Sequence, residues 1–65
     1  MSVLVNGRME TLPEPPTLAA LLMALGPPTP FAVACNGEFV PSASYAACQI
    51  QRGDCIDIVH PAAGG

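Results

Sequence analysis

The sequence contains no lysine and no tryptophan, and its only permanent cations are Arg8 and Arg52. With a formal net charge of −3, the chain lacks the basic patch that phosphate-backbone binding requires. Nucleic acid is therefore not an expected partner. Without lysine, copies of the chain cannot be joined to one another through side-chain amines. No apolar stretch approaches the ~20 residues of a membrane span. The N-terminus also lacks the basic-then-apolar pattern of a signal peptide. The expectation is a soluble, cytoplasmic protein with no membrane partner.

Metal ligands are equally scarce. Cys35, Cys48, Cys55 and His60 complete the soft-donor inventory, with no CxxC pair and no zinc-ligand spacing. No metal centre is expected, and the cysteines read as small buried hydrophobes. A Cys–His nucleophile would need an oxyanion loop and an orienting partner, and neither can be identified. Nor is there a glycine-rich phosphate loop. No catalytic residue is assigned, and the chain is expected not to be an enzyme.

What is present is apolar material: 51% of residues are hydrophobic and 11% charged, enough for one compact domain near the lower size limit. Only Phe31, Phe39 and Tyr45 are aromatic, so the core should consist mainly of Val, Leu and Ile. The opening SVLVNGRMETL reads as two strands joined at Asn6-Gly7, the second running through Leu12. Both turn residues tolerate positive φ.

The period then changes. Leu18, Leu21, Leu22 and Leu25 recur at helical spacing. Thr17 is placed to cap the first turn. Gly26 is placed to end the helix in the left-handed region, and Pro27-Pro28 forbid continuation. A second strand pair follows, from Phe31 to Cys35 and from Glu38 to Val40, around the Asn36-Gly37 turn. Pro41 ends it. An irregular crossover comes next, with one helical turn expected around Ser44 to Cys48. After a turn at Gly53-Asp54, a last strand carries Ile56 and Ile58 on one face and Cys55, Asp57 and Val59 on the other.

One amphipathic helix among several strands must bury its stripe on one face of a mixed sheet. First and last strands as central neighbours give an α+β, β-grasp (ubiquitin-like) architecture with four to five strands. The expected division is a folded body over residues 1–60 and a flexible tail over residues 61–65.

The VNG hairpin, TLAALL at the helix start, AVACNGEFVP and the closing GDCIDIVHPAAGG together resemble the ThiS family. These are sulfur carriers of thiamine thiazole biosynthesis, and the resemblance covers the whole chain. It implies that the Gly65 carboxylate is adenylated with ATP by an E1-like partner of the ThiF type. Sulfur from a persulfide donor then forms a thiocarboxylate, which passes its sulfur to thiazole synthase, ThiG. On this reading the chain holds no cofactor, and ATP is used by the activating partner. Pro61, Ala62, Ala63 and Gly64 would thread into that partner, spanning about 17 Å with Gly65 at ~3.3–3.6 Å per residue. Glycines without Cβ atoms suit a narrow channel.

The resemblance also implies docking through an apolar sheet face. Phe39, Val40 and Val59 are the candidates, and each serves equally as a core residue. Relatives often carry a basic residue after the Val-Pro pair; here that position is Ser42, so no partner contact is carried over to it. Three other readings stand beside this one. They are a molybdopterin-type carrier of the MoaD kind, a ubiquitin-like protein modifier, and a non-covalent interaction module.

Overall fold

A computed structural model of the chain describes residues 1–61. The order of elements is β1 (Ser2–Val5), β2 (Arg8–Thr11), α1 (Leu18–Leu25), β3 (Ala32–Cys35), β4 (Glu38–Val40), a 3-10 turn (Ser42–Ser44) and β5 (Cys55–Val59). The strands form one mixed sheet in the order β2-β1-β5-β3-β4. β5 is central, parallel to β1 and antiparallel to β3. With α1 covering one face, this is the expected β-grasp, with five strands.

Both hairpins form where the Asn-Gly pairs stand, with φ of 51° at Asn6 and 52° at Asn36, followed by positive-φ glycines. The helix is closed at both ends as its sequence signals. The Thr17 hydroxyl accepts from the Ala20 N–H at 3.2 Å. Gly26 adopts φ 59° and ψ 48° and donates to the Leu22 carbonyl. The other two donors of the first turn look outward to the crossover: Leu18 N–H to the Cys48 carbonyl at 2.8 Å, and Ala19 N–H to the Tyr45 carbonyl at 3.0 Å. Those bonds fasten an otherwise irregular segment to the helix by meeting donors that a helix start leaves open.

Among the described residues the buried hydrophobic core is Val3, Val5, Leu18, Leu21, Leu22, Val33, Val40, Ile50, Ile56 and Ile58. All are Val, Leu or Ile, as expected. Leu25 is only half-buried against this cluster. Ile50, which follows an isolated bridge between Thr17 and Gln49, drops into the core from a stretch with no readable period.

Several boundaries differ from the sequence reading. Leu12 lies past β2, Phe31 precedes β3, and β5 stops at Val59 rather than reaching His60. The crossover turn begins at Ser42, two residues early, although the Cys48 N–H does bond to the Ser44 carbonyl. The positive-φ residue before β5 is Gly53, at 87°.

The two turn asparagines do more than turn the chain. Asn6 N–H donates to the Ile56 carbonyl, continuing the β1–β5 ladder. Its side-chain amide then accepts from Ile58 N–H at 2.8 Å and donates to the Ile58 carbonyl at 3.1 Å. The backbone has turned away here, so the side chain supplies the next rung. Asn36 does the same on the other side of β5, accepting from Cys55 N–H at 2.9 Å and donating to Asp54 Oδ1 at 3.2 Å.

Asn6→Ala is therefore expected to lower stability by about 2–3 kcal/mol, from two lost bonds at a part-buried rung plus the loss of asparagine's greater tolerance of positive φ. Asn6→Gly removes the bonds but keeps the φ, and should cost less than Asn6→Ala. Urea unfolding of both variants checks this. A glycine variant as stable as the parent would show that the side-chain rung contributes nothing.

Candidate functional site

The sheet has two unlike faces. Val3, Val5, Val33, Val40, Ile56 and Ile58 point to the helix, so the residues between them point away. The register aligns Met9 with Leu4 and Leu4 with Cys55; Phe39 with Ala34 and Ala34 with Asp57; and Ala32 with Val59. Among the described residues no element covers this outer face. Phe39 is 70% exposed, Met9 73% and Val59 57%. Asp57, on the central strand, is the single charged side chain of the strand residues on this face.

Of the three residues proposed for docking, Phe39 and Val59 are exposed on this surface. Val40 is not: it pairs with Val33 and points into the core. The alternation along a three-residue strand puts neighbours on opposite faces, so Phe39 and Val40 cannot share a role. The same alternation in β1 and β2 places Leu4 and Met9 on the outer face. Their position opposite Val3 and Val5 was readable from the period, but only the strand order shows that they adjoin β5. Ser42 is exposed on the 3-10 turn.

β5 delivers the chain to one end of this face. Past Val59, His60 and Pro61 are exposed. Ala62, Ala63, Gly64 and Gly65, assigned to threading and activation, lie outside the described residues. His60 Nδ1 stands 3.1 Å from the Pro30 carbonyl. Its ring meets Phe31 edge-on, with centroids 6.4 Å apart and planes at 78°. Phe31 in turn stacks on Tyr45 at 6.4 Å and 9°.

The cysteines are all free. Cys35 and Cys48 are half-buried and Cys55 is exposed. Cys55 therefore departs from the expected buried hydrophobe, because it takes the outward position of β5. Burial first, and then the neighbouring Asp54 carboxylate, pushes the Cys35 thiol above its ordinary range. A thiol held protonated is a poor nucleophile. Among the described residues no group of three or more His, Cys, Asp or Glu side chains is placed to hold a metal ion. None of their helices is long and apolar enough to cross a membrane.

The model of the ThiS family matches residues 3–65, nearly the whole chain. The chain belongs to the ThiS family. The fold agrees with this assignment. A crystal structure described as thiamine biosynthesis protein ThiS of Geobacter metallireducens superposes with a TM-score of 0.82 at 26% identity, covering 100% of each chain. No curated protein matches this ThiS-family chain. The family match includes Gly64 and Gly65, so the proposed reactive end falls inside the shared pattern.

Proposed function

We propose that this ThiS-family protein is a sulfur carrier of thiamine biosynthesis, with the Gly65 carboxylate as the group that is loaded. The observation that carries this reading is the family match over residues 3–65. The TM-score of 0.82 to a protein named for thiamine biosynthesis supports it.

The chemistry follows from the carboxylate. Its oxygen is a poor leaving group, so an E1-like partner uses ATP to form the acyl adenylate at Gly65 and releases pyrophosphate. Sulfide then displaces AMP to leave a thiocarboxylate. With a persulfide donor, the acyl disulfide formed first is cleaved by a thiol to the same product. Thiazole synthase accepts the sulfur and returns the carboxylate. The carrier's own part is presentation. Its body docks, its tail crosses into a site that already holds a nucleotide, and Gly64 and Gly65 pass where a Cβ would not.

The outer sheet face is the docking surface on this reading. Apolar side chains left exposed beside the exit of β5 suit a partner that must receive the tail at the same time. Intact-mass measurement after incubation with a ThiF-type enzyme, ATP and sulfide tests the function. One oxygen-to-sulfur replacement is expected, and no change with a competent partner would overturn the carrier role.

In the same assay Phe39→Glu should reduce loading at limiting partner by ~10-fold or more. A buried carboxylate without a partner residue is costly at an interface, while position 39 is open to water in the free protein. Unchanged loading would remove Phe39 from the docking surface.

A further inference from the structure

The β3–β5 ladder ends at the pair Ala32 and Val59. Beyond it, neither Pro61 on the outgoing chain nor Pro30 on the incoming chain has an N–H with which to extend the pairing. Pro61 also biases His60 toward extended backbone. The connection nevertheless continues through a side chain, since His60 Nδ1 lies 3.1 Å from the Pro30 carbonyl. A carbonyl only accepts, so Nδ1 carries the proton and the neutral ring is the Nδ1–H tautomer. Phe31 braces the ring from its edge. Tyr45, stacked on Phe31, packs against the core.

We infer that His60 is a positioning residue, which pins the end of β5 to Pro30 and so fixes the point from which the reactive tail enters its partner. This rests on the carrier reading and adds to it a residue of the body that acts through the tail. Without the pin, the last residue of the body paired across to a neighbouring segment is Val59 instead of His60. The partner must then order one more residue on docking, a cost comparable to fixing one residue's backbone. That cost falls equally on the bound carrier and on the transition state for adenylation. The effect therefore appears in KM and not in kcat.

His60→Ala is expected to raise KM for the carrier in ATP-dependent loading by ~3- to 10-fold, with kcat held within about 2-fold. His60→Asn offers an amide N–H near the position of Nδ1 and should recover most of the loss. His60→Phe keeps the ring edge but not the donor, and should behave like His60→Ala. For the neutral ring, nitrogen NMR should show the Nδ1–H tautomer, the reverse of the Nε2–H preference of free histidine.

A His60→Ala variant with the parent's KM, an Asn variant no better than Ala, or an Nε2–H tautomer would each overturn the inference. If the unaltered protein is never loaded, the carrier reading itself falls. Loading of the parent with unchanged kinetics in the variants removes His60 alone.

Discussion

One residue appended after Gly65 should reduce sulfur loading by more than about 100-fold, while the body unfolds at the same temperature as the parent. On the proposed carrier reading, adenylation requires the terminal carboxylate to meet the α-phosphate of a nucleotide held by the partner. An extra residue moves that carboxylate by about 3.3–3.6 Å along the chain. Misplacement of reacting atoms by about 1 Å already costs on the order of 100-fold. An appended alanine also brings a Cβ to the carboxyl end, where the natural sequence has none. Removing Gly65 shortens the reach by the same step and should be equally damaging. Among the described residues the buried hydrophobic core extends from Val3 to Ile58, and neither change alters any of these residues. Intact mass and thermal unfolding measured on the same samples separate the two effects. Loading of the extended chain at the parent's rate would show that the end of the tail is incidental.

The second large effect concerns stability. Leu18→Ala should destabilise the fold by about 3–5 kcal/mol, the range for a buried leucine truncated to leave a cavity. Leu18 is fully buried, at 0% exposure. It also stands at the first turn of α1, where its own N–H holds the Cys48 carbonyl of the crossover. The cavity would therefore open where helix, crossover and sheet meet, a junction with little freedom to collapse. A 65-residue domain has roughly 3–10 kcal/mol of total stability, so this variant should lose about a third or more of it. Its melting temperature should fall by on the order of 15 °C or more. Met23→Ala is the control on the same helix. Met23 is 86% exposed, and its truncation should change stability by less than about 0.5 kcal/mol. Equal effects at the two positions would contradict the assignment of the core.

The sequence by itself determined the local elements of this protein. Asn6-Gly7 and Asn36-Gly37 announce hairpins because positive φ is a property of the residues that adopt it. The leucine spacing, Thr17 and Gly26 announce a capped helix for the same local reason. The lack of lysine also needed no coordinates. The diglycine was legible as a motif, and its family context came from the order of several weak segments.

Only the tertiary structure decided which contacts those elements make. Ile50 lies in a stretch without period, and it is buried because the crossover is bonded to the start of α1. Val40 and Phe39 are adjacent apolar residues with opposite fates, set by which face of β4 meets the helix. Asn6 and Asn36 supply rungs to β5 from either side, although β5 begins 49 residues after Asn6 and 19 after Asn36 in the sequence. His60 meets Pro30 only because β5 lies beside β3. Each of these depends on contacts between segments distant in the sequence, and no local preference encodes which segments become neighbours. The end of β5 is held by β3, through the pair Ala32 and Val59, and by the Asn6 side chain at Ile58.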